Sequence, residues 1–180
     1  MMRPWHIMVI VAASSLLTMN CTNEADDAFA IEKVNDSTFT YLSYGKQGRI
    51  NLMTDSLHHV CHYVEDSLMD VWTIRDSVYR LDCGDLNADS VPEILVGVIC
   101  ATRYCPELDK RLYIFKLYKG ELIRPLWLGS RVGLPLADFR VERDSLPNMV
   151  HTWEWSTDST LVQAIYRLQG FGLKFVTYLN

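Results

Sequence analysis

The chain has 180 residues, with 17 basic against 22 acidic side chains and a formal net charge of −5. That length holds one domain with a real core and is short for two. The acid excess, with no cluster of Lys and Arg, argues against nucleic acid and anionic lipid surfaces as partners, because phosphate binding needs concentrated positive charge.

In chain order, Arg3 precedes a mostly apolar run over residues 7–17, IMVIVAASSLL, which ends near Cys21 and the polar stretch TNEADD. A spanning helix needs about 20 apolar residues, so this run reads as a cleaved export signal. It resembles the signals of bacterial lipoproteins, in which the cysteine after the cleavage point is acylated and becomes the new N-terminus. The resemblance implies a signal peptide over 1–20, lipidation (palmitate) at Cys21 and attachment to a membrane through that lipid; an ordinary cleaved secretory signal is the alternative. Glu24, Asp26 and Asp27 resemble the acidic tag of outer-membrane lipoproteins of Bacteroidota, and residues 21–36 read as an acidic flexible tether. The expected place is the outer membrane, facing outward or toward the periplasm. Loss of Arg3 with the signal would take the net charge from −5 to −6.

Residues 37–180 read as one all-β domain. The pair Asp-Ser occurs seven times, at Asp36, Asp55, Asp66, Asp76, Asp89, Asp144 and Asp158. Both side chains bond their own backbone in turns, so the repeated pair punctuates hairpins. Strand-like pieces lie between these marks: 37–44, 48–54, 57–64, 68–74, 78–82, 93–101, 111–120, 121–128, 148–156, 161–169 and 171–179. About a dozen short strands at roughly 10-residue spacing predict an antiparallel meander like the blades of a β-propeller, with a sandwich as the alternative. A blade takes about 40 residues, so the chain would hold three to four.

One motif carries chemistry. In DLNADSVPE, residues 85–93, oxygen-bearing side chains alternate: Asp85, Asn87, Asp89 and then Glu93, with the Val91 carbonyl between. Calcium takes six to eight oxygens at about 2.4 Å, and a loop wound around it offers such a spacing. An EF-hand would put a bidentate acid at the twelfth position, which here is Val96, inside the β-branched run ILVGVI, so the loop feeds a strand. This form resembles the D-x-D/N-x-D-G-x-x-D/E loops of FG-GAP and VCBS repeats, over about 20 residues of LDCGDLNADSVPEILVGV. The resemblance implies a structural Ca2+ held by Asp85, Asn87, Asp89, Val91 and Glu93. The family's glycine is Ser90 here, which costs about 1 kcal/mol if that position is left-handed. An Asx-rich turn without metal is the alternative. The segments around WLGSR (127–131) also resemble lipoproteins of gut Bacteroidota.

Cys61, Cys83, Cys100 and Cys105 permit two disulfides in an exported protein, and the Cys100 to Cys105 interval could close a loop; four buried free thiols are the alternative. His58 and His62 fall on one strand face, His59 and Cys61 on the other, so this His-rich piece splits rather than forming a metal site. Trp153 and Trp155 share a face with His151 and are candidates for contact with a sugar ring, against the usual use of Trp as core.

No GxSxG, HExxH, phosphate-binding glycine loop or CxxC is present. No catalytic residue is assigned, and an enzyme is the less favoured class. The expected function is a non-catalytic binding or scaffold module for a protein or glycan; the alternative is a small hydrolase of glycan or cell-envelope polymer, for which a pair of distant carboxylates would be required.

Overall fold

The structure, a computed structural model, describes residues 29–103, 105–129 and 132–179. The segment read as a signal peptide, residues 1–20, and Cys21 lie outside the described residues. Thirteen strands follow one another: β1 Ala30–Asn35, β2 Thr38–Ser43, β3 Lys46–Thr54, β4 His58–Val64, β5 Ser67–Ile74, β6 Ser77–Gly84, β7 Glu93–Thr102, β8 Cys105–Tyr118, β9 Leu122–Leu128, β10 Leu136–Glu142, β11 Met149–Trp155, β12 Leu161–Gln169 and β13 Gly172–Leu179. They form three antiparallel meanders, β1–β5, β6–β9 and β10–β13, each with its strands in chain order. Among the described residues there is no helix and no closed barrel.

All seven Asp-Ser pairs fall at junctions between consecutive strands. Three of the aspartates do what the chemistry predicts and accept the amide two residues on: Asp55 from Leu57 at 2.9 Å, Asp89 from Val91 at 2.9 Å and Asp158 from Thr160 at 3.1 Å. Tight hairpins put two successive residues at positive φ, Tyr44-Gly45 (48° and 71°) and Lys119-Gly120 (56° and 69°), the turn whose twist matches the strands it joins.

The middle sheet explains the run EILVGVI. Ile94, Val96 and Val98 face the first sheet, packing with Phe39, Ile50 and Val60. Leu95 faces the third sheet, with Leu112, Ile114, Phe139, Val150 and Tyr166. A strand covered on both faces reads as continuous apolar sequence rather than as alternation, and each fully buried aliphatic side chain contributes about 1.5–3 kcal/mol. Gly97 interrupts the run because an added Cβ would come within 2.5 Å of Tyr79 Cζ and 2.9 Å of Phe139 Cε1.

Two expectations need correction. The tether over 21–36 ends early, because β1 occupies Ala30–Asn35 and pairs with β2, with Ile31 packed on the first core. β10, Leu136–Glu142, falls where no strand was read; its Leu136, Phe139 and Val141 are buried against the middle sheet.

Candidate functional site

The stretch 85–93 is the loop from β6 to β7, between the first two strands of the middle sheet. Asp85 and Glu93 are 0% and 3% exposed. The Asp85 carboxylate accepts the amides of Asp89 at 3.1 Å and Ser90 at 2.9 Å. Asn87 Oδ1 accepts the Asp89 amide at 2.9 Å, and Glu93 Oε2 accepts the Leu86 amide at 2.8 Å. These bonds wind the backbone around its own side chains. Ala88 and Ser90 are both left-handed there, at φ 61° and 62°.

The site residues read from sequence are thus brought into one loop. Asn87 Nδ2 donates to Asp89 Oδ2 at 3.0 Å and to Glu93 Oε1 at 3.1 Å, so a neutral amide is the positive pole shared by two acids. Among the described residues no three Asp, Glu, His or Cys side chains stand in the arrangement of a metal centre. The Asn87 amide occupies the space between two of the acids. No ion pair to Asp85, Asp89 or Glu93 is present among the described residues. Burial pushes Glu93 up to about 8 against the Leu86 amide, with Asp89 and Asp85 adding to the rise. A carboxyl in this state lacks a compensating cation. The donor chemistry, all oxygen with three acids, fits a hard divalent ion.

Residues distant in sequence hold the loop in place. Asp85 donates its amide to Asn148 Oδ1 at 2.8 Å, and Asn148 donates its amide to the Asp85 carbonyl at 2.8 Å. On the other side Tyr44 Oη donates to the Asp89 carbonyl at 2.6 Å, and Ser43 Oγ to the Ser90 carbonyl at 2.5 Å. The loop is therefore clamped between the β2–β3 hairpin of the first sheet and the β10–β11 connection of the third.

A cavity of about 500 Å³ adjoins it, lined by Tyr41, Tyr44, Met69, Asp89, Val91 and Lys119 among others. Behind Tyr41 is His62, fully buried, with Nε2 2.7 Å from Tyr41 Oη and Nδ1 2.7 Å from the Glu121 carbonyl. The carbonyl can only accept, so Nδ1 carries the proton and Nε2 accepts from the tyrosine.

The other sequence candidates separate. Trp153 and Trp155 are on the outward face of the third sheet, far along the chain from the loop and on strand β11. Trp153 stacks on His151 at 4.2 Å and has the Arg140 guanidinium 5.3 Å from its ring, while Trp155 is 47% exposed. The disulfide expectation is corrected: Cys61, Cys83, Cys100 and Cys105 are free. The register of β7 and β8 places Cys100 opposite Asp109 and Cys105 opposite Thr102, so the two thiols do not face each other. Cys83 is enclosed between the first and middle sheets, and Cys61 lies on the outward face of the first, 3.7 Å from Met53 Sδ.

The fold is an all-β stack of three meander sheets with a clamped acidic loop at the middle one. Compared with protein-family models, with curated proteins and with solved structures, the chain has no significant match.

Proposed function

We propose that the chain is a lipoprotein, acylated at Cys21 and held at the outer membrane, whose β-domain is a non-catalytic binding or scaffold module stabilised by one calcium ion. The observation that supports this most is the loop itself: buried Asp85 and Glu93, with Asp89 and Asn87, gather around a point that no cationic side chain of the described residues neutralises. A divalent ion would take Asp85, Asn87, Asp89, the Val91 carbonyl and Glu93 as ligands, in place of the Asn87 amide as the positive pole. It would supply no chemistry beyond charge neutralisation and a fixed loop.

Such a loop has a use in binding. Its Asp89 and Val91 form one wall of the 500 Å³ cavity, whose other walls come from the β2–β3 hairpin at Tyr44, from Val64 and Met69 of β4 and β5, and from the β8–β9 hairpin at Lys119. Loops on a rigid sheet scaffold are where recognition residues gather, and this cavity is the place on the module for a protein loop or a glycan unit.

Calorimetric titration with CaCl2 tests the reading. One ion per chain, bound at about 0.1–1 mM as is usual for extracellular modules, is the expected result, with binding lost in Glu93→Gln. No heat at millimolar calcium, or binding unchanged in that variant, contradicts it. Release of Cys21→Ser from the membrane fraction tests the anchor separately.

A further inference from the structure

Among the described residues the middle sheet is covered on both faces, whereas each outer sheet is covered on one. The outward face of β1–β5 carries Met53 and Val71, 53% and 42% exposed, around the buried Cys61. The outward face of β10–β13 carries Trp153, Trp155, Leu161 and Ile165. Four-stranded meanders stacked face to face are stable as closed rings of about four to eight sheets, and three sheets fall short of closure.

We infer that two copies of this chain associate, the outward face of β1–β5 of one against the outward face of β10–β13 of the other, twice over, to close a ring of six sheets. The two faces differ in charge in the sense this requires. A groove of about 560 Å³ on the first carries Glu32, Glu65 and Asp66 with Arg49. The strand register places Arg140, Arg167 and Lys174 on the face of the third sheet that also holds Asp138 and Glu142, leaving one basic side chain in excess. Acidic thus meets basic, and a like-with-like pairing of either face would oppose its own excess charge.

The area is also sufficient. Four strands of about seven residues, at about 4.8 Å between strands and 3.3 Å per residue, present roughly 440 Å² per face. Four such faces, two from each copy, bury about 1,800 Å², within the range of stable specific interfaces. Because each contact joins two different faces, the pair closes only through a twofold axis that uses both contacts. The face with Trp153 and Trp155 then serves self-association rather than a sugar, and this inference stands independently of calcium at the Asp85 loop.

Sedimentation equilibrium of the purified protein at micromolar concentration tests it, alongside Met53→Lys on one face and Trp155→Glu on the other. The expected result is a dimer for the parent chain and a monomer for each variant, since each substitution damages both contacts of the ring. A parent monomer overturns the inference, as does an open series of oligomers. So does a dimer that survives either substitution, because a contact through one face alone would spare the other variant. Unchanged β-sheet circular dichroism establishes that each variant is folded, and Val71→Lys and Leu161→Glu on the same two faces replace any variant that is not.

Discussion

Asp85 and Asn148 exchange a reciprocal pair of hydrogen bonds, both 2.8 Å, that ties the acidic loop of the middle sheet to the β10–β11 connection of the third. Both residues are buried, at 0% and 2% exposure, so neither bond has water to fall back on. Replacing Asn148 by Ala leaves the Asp85 amide without an acceptor and also removes the donor to the Ser145 carbonyl. The expected loss is about 1–3 kcal/mol in urea unfolding, the cost of stranding a buried donor. A neutral result would mean that the loop is held without this pair.

Ser90 occupies a left-handed conformation, φ 62°, where glycine carries no steric penalty. Its amide and carbonyl are both engaged, with Asp85 and Ser43, so the backbone has no freedom to leave that region. Ser90→Gly should therefore raise stability, by up to about 1 kcal/mol less the extra chain entropy of glycine. It should also tighten calcium in the same titration used for the parent chain. A destabilised variant would show that the Ser90 side chain has a role beyond filling the position.

His62 gives a pH dependence with a definite sign. Burial lowers its pKa from 6.5, against the opposing effect of the Glu121 carbonyl. Over the interval below 6.5 and above its folded value, the unfolded chain binds the proton more readily than the folded one. Its contribution to stability is thus fully present above about 6.5 and is lost as pH falls through the folded pKa. Unfolding free energies measured from pH 8 down to pH 5 should decline on that limb, and His62→Gln should flatten it. An unchanged limb in the variant would assign the decline to other groups.

The thiols provide a covalent check on the fold. Cys61, Cys83 and Cys100 are buried and Cys105 is half-buried. In the Cys21→Ser chain, native labelling with a maleimide should modify Cys105 first. The denatured protein should show four reactive thiols with or without prior reduction. A lower number without reductant would mean that a disulfide joins thiols that are free in this structure.

Much of this architecture is legible in the sequence because its signals are local. Asp-Ser pairs mark strand junctions through bonds that span two residues, and alternation marks the strands of the outer sheets. β1 escapes such reading because it is an edge strand with Ile31 as its one part-buried side chain, so AIEKVN has the composition of a tether. β10 escapes because Asp138, Arg140 and Glu142 alternate with its buried residues directly after Pro135, which resembles a charged loop. The loop ligands themselves are legible at their spacing. Their supports are not: Ser43, Tyr44 and Asn148 come from hairpins tens of residues away, and only the packing of three sheets brings them to Asp85–Glu93.

The most direct test of the account is a thermal melt of the purified protein in 10 mM calcium and in excess chelator, with Asp85→Ala/Asp89→Ala in parallel. An ion bound at about 0.1–1 mM stabilises the native state by about 1.4–2.7 kcal/mol at that concentration. For a domain of this size that corresponds to a rise of about 3–10 °C in Tm. The account predicts that rise for the parent chain and none for the double variant. Equal melting of the parent chain in calcium and in chelator would contradict it, leaving the Asn87 side chain and the loop's own backbone amides as the donors to its acids.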